Sequence, residues 1–311
     1  MEQKKRSSLL HLLIALCCLA VASAPAYAAR TKPAKTAKPA KQRTHTSSYS
    51  GHGLAREWEP TYEIKQYKQN YVLLYALSSA PNNLPTSPNP LNQVLIPYAL
   101  DNRDMKFQIS LKLALADYEE YGALWFAYTQ TSFWQFYNKA NSQPFRETDY
   151  SPELIYSLRP FDGSILNFGV QHESNGESNP RSRSWNRVYL QPGVDLFDFD
   201  GNRLSVIVRW WQRFQESPAG DDNPDIADFL GYREVEWRFM QDNGWQITSL
   251  TRSKSIQLDI AAPWTSWLMM PDGDEHPLNI HLQYFSGYGE SLLDYNQGHV
   301  TWGLGLSLPI E

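Results

Sequence analysis

The feature that most constrains this chain is alternation between apolar and polar side chains, in segments of about ten residues that recur from residue 70 onward. Successive side chains of a β-strand point to opposite faces, so this pattern predicts strands with one apolar and one polar face. In the last segment five apolar side chains share one parity: Val300, Trp302, Leu304, Leu306 and Leu308. No segment beyond the N-terminal region approaches the run of about 20 apolar residues that a transmembrane helix needs.

Twelve strands are predicted, near residues 70–78, 104–115, 122–136, 150–158, 164–174, 184–195, 203–214, 228–240, 244–252, 254–263, 278–289 and 298–308. An even number is expected for a bacterial single-chain barrel. A soluble β-sandwich would alternate in the same way. However, arginines and acids share one face, which suits a lumen filled with paired charges: Arg209, Arg213, Glu234, Glu236 and Arg238. The prediction is an all-β protein, a twelve-stranded antiparallel transmembrane β-barrel.

The N-terminal region has the layout of a cleavable secretory signal over residues 1–28. Basic residues precede an apolar run, and small residues precede the expected cleavage site after Ala28. Both cysteines, Cys17 and Cys18, lie in this segment, so thiolate chemistry is excluded from the expected mature chain. Residues 29–60, basic and rich in Pro and Ala, are predicted to form a disordered linker. The barrel domain is assigned to residues 61–311.

Charge argues against nucleic acid as a partner. Residues 1–50 carry nine Lys/Arg and one acidic residue, so the remainder has 19 basic and 32 acidic residues and a net charge near −13. Proteins that bind nucleic acid use a basic surface to neutralise phosphates. We therefore expect no nucleic-acid binding.

Residues 166–186 hold the candidate chemistry. An apolar stripe over residues 166–170 continues, at the same parity, into His172 and Ser174. After a loop rich in Ser, Asn, Gly and Pro, Asn186 begins a second apolar stripe. If the two segments pair as a hairpin, Asn186 lies across from His172, and all three polar side chains lie on the apolar side of the sheet.

This spacing suits nucleophilic catalysis. Ser174 and His172 lie two residues apart on one strand, so the imidazole can take the serine proton. Asn186 can hold the other imidazole nitrogen through its carbonyl, avoiding the cost of desolvating a carboxylate. Gly176, after Asn175, lets backbone N–H groups face a developing oxyanion. The alternative is a His and a Ser at a strand end that bond only to loop backbone.

Four motifs closely resemble those of bacterial outer-membrane phospholipase A: HESNGESNPRSRSWNR (172–187), PFRETDY (144–150), DDNPD (221–225) and SGYGESLLDYN (286–296). Together they run across most of residues 60–311. The resemblance implies a twelve-stranded barrel with a serine esterase site on its outer wall at the outer leaflet. It also implies calcium-dependent cleavage of acyl esters (sn-1, sn-2 and lysophospholipid) by a homodimer.

The resemblance also assigns roles to individual residues. Ser174 would be the nucleophile, His172 the general base and Asn186 the orienting residue, with Gly176 donating its N–H to the oxyanion. The calcium site of the dimer would use a carbonyl of Glu177, the hydroxyl of Ser182 and a carbonyl matching Ser142 from the second subunit. All are oxygen ligands, as calcium requires. Asp222 matches a second calcium position used by the monomer.

The chain departs from the family pattern in the loop after the nucleophile. Many members have arginine where Glu177 stands and aspartate where Asn179 stands, so the details of calcium ligation differ here. For Asp221 and Asp222, the alternative to calcium binding is that they are solvated turn residues. Gln130 has the same parity as the side chains of its strand that are expected to face lipid. The resemblance places it in the dimer interface, where it would bond across the two-fold axis. A glutamine bound to water at headgroup level is the alternative.

We therefore predict a calcium-dependent phospholipase A1/A2 in the outer membrane, monomeric at rest and active as a homodimer on phospholipids and lysophospholipids. The alternative is a passive or structural outer-membrane barrel without hydrolase activity. A passive channel requires an open lumen, whereas the inward charges and aromatics indicate a filled one. An adhesive barrel requires long external loops, and the predicted connections are short.

Overall fold

The computed structural model describes residues 53–118, 121–141, 143–267 and 278–309. Within them, antiparallel pairing joins thirteen strands into one sheet. The strands are β1 (Lys65–Gln66), β2 (Tyr71–Ser78), β3 (Arg103–Asp117), β4 (Ala123–Trp134), β5 (Phe145–Leu158), β6 (Ser164–Ser174), β7 (Ser184–Phe199), β8 (Asn202–Arg213), β9 (Arg233–Gln241), β10 (Gln246–Arg252), β11 (Ser255–Pro263), β12 (Asn279–Gly287) and β13 (His299–Ser307).

Strands β2–β13 close into a barrel. Each pairs with its sequence neighbours, and β13 pairs back onto β2. The two-residue strand β1 pairs with Leu111 and Lys112 of β3, whereas β2 pairs with the first half of β3, so β1 extends the line of β2. The predicted twelve-stranded antiparallel barrel is confirmed.

Short helices interrupt the strand pattern in the connections. They are α1 (Gly53–Glu57), α2 (Ile226–Leu230) and α3 (Trp264–Trp267), with 3-10 turns at Pro90–Asn92 and Lys139–Asn141. Helix α2 explains one of the two largest errors in the predicted boundaries, because the strand placed at 228–240 begins only at Arg233. Ile226 and Leu230 are buried one helical turn apart, and this spacing suits a helix. None of the helices among the described residues is long and apolar enough to cross a membrane.

Paired charges fill much of the barrel interior, as predicted. Arg209 lies 3.5 Å from Glu153 and 3.6 Å from Glu234, and Arg238 lies 2.9 Å from Glu57. A cavity of about 220 Å³ remains among these side chains. The interior is therefore polar, and the apolar side chains of the same strands face outward.

The N-terminal end of the described chain also packs inside the barrel. Leu54 and Trp58 are buried, the Leu54 N–H donates to Asp195 at 3.0 Å, and the Lys112 ammonium lies 3.8 Å from the centre of the Trp58 ring. These residues belong to the segment 29–60 that we assigned to a linker. The described residues begin at 53, ahead of the predicted domain start at 61.

The two ends of the barrel differ. The connections 79–102, 214–232 and 288–298 lie at the same end as the β6–β7 loop, whereas residues 200–201 suffice to join β7 to β8 at the other end. The expectation of uniformly short connections was wrong. In the last of the long connections, Leu292, Leu293 and Tyr295 are buried, and the Leu293 N–H donates to Glu147 at 2.7 Å. Apolar loop residues therefore close this end of the lumen.

Candidate active site

The β6–β7 hairpin brings the predicted side chains together. His172 pairs directly with Asn186, and Ser174 pairs with Ser184. The residues between the strands form a loop that the Asn175 N–H closes by donating to the Arg183 carbonyl at 3.0 Å. The pairing is the one that alternation predicts, because a shift by one residue would turn the apolar stripe into the lumen.

The outer face of the wall carries these residues. Val170 and Val188, which share their parity, are 44% and 40% exposed in the isolated chain. Residues of opposite parity, such as Gln171 and Arg187, are buried in the lumen. His172, Ser174 and Asn186 are each half-buried beside these outward valines.

Two hydrogen bonds connect the three side chains. The Ser174 hydroxyl lies 3.0 Å from His172 Nε2, and His172 Nδ1 lies 2.9 Å from Asn186 Oδ1. A carboxamide oxygen accepts and cannot donate, so the imidazole proton resides on Nδ1. Nε2 is then the free base that accepts the serine proton. This geometry is the one that a serine nucleophile and its general base require.

The loop after Ser174 is held from inside the barrel. The buried Asn175 amide donates to the Arg181 carbonyl at 2.8 Å and to Glu147 at 3.3 Å, while its oxygen accepts from the Arg183 N–H at 3.0 Å. Sequence reasoning missed this role, since an Asn-Gly pair reads as an ordinary turn. Asn175 fixes the backbone on which the next residue depends.

Gly176 follows with φ +66°, in the left-handed region that favours glycine. Within the described residues its N–H donates to no protein acceptor, so it stays available to a ligand. A backbone N–H next to a nucleophile is the usual donor to a tetrahedral oxyanion.

The predicted calcium ligands are partly assembled. The Ser182 hydroxyl donates to Asp222 at 2.6 Å, and the Asn92 amide lies among Asn179 Oδ1, the Ser182 carbonyl and Asp222 Oδ1 at 2.9–3.2 Å. Three oxygens thus converge around one polar donor. The part of the chain that the structure describes holds no group of three or more His, Cys, Asp or Glu suited to a metal.

The other two predicted ligands contribute less here. The Glu177 carboxylate is exposed and lies 3.6 Å from Arg181, at an i,i+4 spacing. Its side chain therefore points to a basic partner. Ser142 lies outside the described residues.

Gln130 lies on the outer face of β4, as its parity predicts. Its oxygen accepts from the Tyr128 hydroxyl at 3.0 Å, and its amide donates to Ser132 at 3.2 Å. Thr148 donates to the same Ser132 hydroxyl at 3.0 Å. A polar chain thus runs along the outer wall, and membership of a dimer interface stays a prediction for Gln130.

Fold and geometry together define a class of protein: a closed β-barrel whose outer wall carries a serine, a histidine and an asparagine joined by hydrogen bonds. Comparison with known proteins narrows this class. The family model described as Phospholipase A1 matches residues 54–308. A putative phospholipase A1 of Neisseria meningitidis is 34% identical over 261 residues, which cover 79% of this chain and 64% of that relative, slightly less than two thirds. Phospholipase A1 of Escherichia coli K12 is 34% identical over 66% of this chain and 69% of its own length.

Solved structures agree. The outer membrane phospholipase dimer of Salmonella typhi, described with bound calcium, has a TM-score of 0.67 and 27% identity over 84% of this chain and 98% of its own. Outer membrane phospholipase A of E. coli has a TM-score of 0.63 and 28% identity over 78% and 93%. The chain belongs to the phospholipase A1 family, and the family predicted from the four motifs is confirmed.

Proposed function

We propose that this chain is a calcium-dependent outer-membrane phospholipase that hydrolyses acyl esters of phospholipids and lysophospholipids, at sn-1 and sn-2, with Ser174 as nucleophile. The observation that carries the proposal is the hydrogen-bonded series Ser174–His172–Asn186, with links of 3.0 and 2.9 Å, on an apolar outer wall. Names of the relatives support the reaction class. A site on this wall meets an acyl chain without extracting the lipid from the membrane.

The reaction has two steps. Ser174 Oγ attacks the ester carbonyl carbon while His172 Nε2 takes the hydroxyl proton, and the Gly176 N–H donates to the oxyanion. Collapse breaks the bond to the glycerol oxygen, which receives the proton from His172 and leaves as the lysophospholipid. Water then attacks the acyl-serine and gives a proton to His172. Collapse breaks the bond to Ser174 Oγ, which takes that proton back from His172, and releases the fatty acid. Asn186 holds the imidazole in the required tautomer throughout.

Calcium dependence is inferred from the Salmonella typhi neighbour and from the chemistry of the donors. The main-chain carbonyl of Glu177 and the hydroxyl of Ser182 would hold the ion together with Ser142 of the partner subunit, and Asp222 would serve a second position. These are oxygen donors, and the convergence of three oxygens at Asn92 supports a cation-binding surface at this loop. When bound, calcium supplies positive charge beside the oxyanion.

Activation by dimerisation is supported by register. Gln130 pairs with Tyr150, and Tyr150 pairs with Ser174, so these outward residues form one row across β4, β5 and β6. With strands about 4.8 Å apart, Gln130 lies about 10 Å from the nucleophile. A homodimer centred on Gln130 would therefore set the partner's wall beside Ser174. In the resting monomer that side of the site would stay open to lipid.

The remaining assignments complete the proposal. Residues 1–28 would direct export and be removed, and the basic segment that follows would act as a tether to the barrel. The site would lie at the outer leaflet, because it is next to the long connections at one end of the barrel. Phospholipids in that leaflet would be the substrate.

The test is hydrolysis of mixed micelles by the purified, refolded protein with calcium and with a chelator. We expect release of fatty acid only with calcium, loss of activity in Ser174→Ala, and a sulfonyl fluoride label on Ser174 alone. Ser249→Ala, which changes an outward serine on β10, four strands away from β6, is the matched control. Ion conductance without hydrolysis in the wild type would support the passive barrel instead, and a label on another residue would overturn the assignment of the nucleophile.

A further inference from the structure

The orienting residue Asn186 poses a geometric problem. Its carboxamide ends in an oxygen and a nitrogen of nearly equal size, and only the oxygen can accept the His172 Nδ1 proton. If the amide turned over, its NH₂ would face the imidazole, the proton would move to Nε2, and His172 would no longer be a base toward Ser174. Something must therefore distinguish the two orientations.

Glu216, in the connection between β8 and β9, meets the other end of this amide. Its Oε1 lies 3.5 Å from Asn186 Nδ2, a long hydrogen bond. An ionised carboxylate only accepts hydrogen bonds, so it favours the orientation in which Nδ2 faces Glu216 and Oδ1 faces His172. Catalytic hydrogen bonds are often long in ligand-free structures and shorten when substrate binds.

The same connection is attached to Asn186 through the backbone. The Phe214 N–H donates to the Asn186 carbonyl at 2.9 Å, which continues the sheet two residues before Glu216. The Glu216 side chain is only 22% exposed, so its position is set by neighbouring atoms and its charge is poorly screened. Glu216 is thus positioned against Asn186 by both main-chain and side-chain contacts.

Arg213 fixes the connection from the other side. Its guanidinium lies 3.9 Å from Glu216 and 2.5 Å from Asp221, and it donates to the Asn223 carbonyl at 3.1 Å. Asn223 in turn accepts from the Ser184 N–H at 3.0 Å on β7. The loop therefore returns to the strand that carries Asn186, two residues away.

We propose that Glu216 is a positioning residue for the catalytic series: by accepting from Asn186 Nδ2 it fixes the amide so that Oδ1 holds His172 in the reactive tautomer. This inference rests on the proposed function of Ser174, His172 and Asn186. Glu216 also places a negative charge at the far end of the series, where it favours the imidazolium that forms as Ser174 attacks. The series thus has four members, with the carboxylate kept outside the lipid-facing wall.

A double-mutant cycle tests the proposal, with hydrolysis by the calcium-loaded protein as the readout. We expect Glu216→Ala to lower kcat about fivefold, the worth of one hydrogen bond, with KM within about twofold. Glu216→Gln, which keeps an acceptor oxygen, should recover most of the loss. In an Asn186→Ala background the change at Glu216 should have less than about a twofold effect, because its partner is gone.

Controls separate positioning from folding and from charge. Asp228→Asn removes an exposed acid from the same connection and should leave kcat unchanged. If Glu216→Ala does not fold, Glu216→Met keeps the side-chain volume without an acceptor and enters the cycle in its place. An equal loss from the Glu216 change with and without Asn186, or no loss in the wild-type background, would overturn the proposal. Wild type without hydrolysis, or active Ser174→Ala, would instead refute the proposed function and with it this inference.

Discussion

Glu290 lies in the connection between β12 and β13 and anchors this loop inside the barrel. One carboxylate oxygen lies 2.9 Å from the Lys106 ammonium, and the other accepts from Thr301 at 2.7 Å and lies 2.6 Å from His299 Nε2. Lys106 and Glu290 side chains are 3% and 4% exposed. Replacing Glu290 with Gln keeps the shape but leaves a buried ammonium without its counter-charge. Breaking a buried pair in this way costs about 3–5 kcal/mol.

We expect Glu290→Gln to lower the free energy of unfolding by about 3 kcal/mol, the low end of that range, because the amide oxygen still accepts one bond. In a urea titration followed by tryptophan fluorescence, this corresponds to a shift of the midpoint by about 1 M or more. Glu63→Gln, at an exposed acid, should shift it negligibly. A change below about 1 kcal/mol at Glu290 would refute the reasoning, because it would mean that water compensates the ammonium.

The pH dependence of the same pair has a definite sign. Burial alone would raise the pKa of Glu290, but Lys106 and His299 hold that pKa well below its ordinary range. The ionised carboxylate therefore stabilises the fold above the unfolded pKa of about 4.3, and this contribution is lost as the pH falls towards the folded pKa. The difference between wild type and Glu290→Gln should shrink as the pH falls below about 4. A difference that grows below about pH 4 would contradict this.

Three further substitutions test other parts of the molecule. Gly176→Ala forces a side chain into a φ of +66°, with Cβ 3.2 Å from the Tyr150 ring, so we expect kcat to fall about tenfold or more in a protein that still folds. Gly169→Ala would place Cβ 2.1 Å from the ring of Tyr189, which Glu153 holds by a 2.7 Å hydrogen bond, so urea titration should show a loss of about 1–3 kcal/mol. Lys112→Met replaces a buried ammonium that lies against aromatic rings. In a urea titration the free energy of unfolding should stay the same or rise by about 1 kcal/mol. A fall of about 1 kcal/mol would show that the cation stabilises the fold.

Period-two alternation predicted the strands, and the charges that share one face favoured a barrel over a sandwich. The strand predicted at 164–174 agrees with β6 at both ends, and His172 pairs with Asn186 as expected if the two segments form a hairpin. Both depend on a local rule, since side-chain direction in a strand is set by position in the chain. The apolar outer wall then excludes a register shifted by one residue.

Contacts between distant loops were beyond such reasoning. Ile226 and Leu292 are apolar residues in connections, and nothing local tells whether an apolar loop residue turns into the lumen or out to the membrane. Glu216 illustrates the same limit, because its contact with Asn186 joins residues 30 positions apart through a loop without regular structure. Its sequence context, FQESPAG, reads as a solvated turn.

The outer wall shows how polar groups can be placed beside hydrocarbon. An unsatisfied polar side chain there costs several kcal/mol, so such groups must bond to one another. Two series of hydrogen bonds do this. Ser174, His172 and Asn186 lead out to Glu216. Gln130 bonds to Tyr128 and Ser132 on β4, and Ser132 also accepts from Thr148 on β5. Each series contains an amide whose two ends bond in opposite senses, donor on one side and acceptor on the other. An amide satisfied in this way needs no carboxylate on the lipid-facing strand, and the one charge that the series uses lies in a loop, where burial costs less.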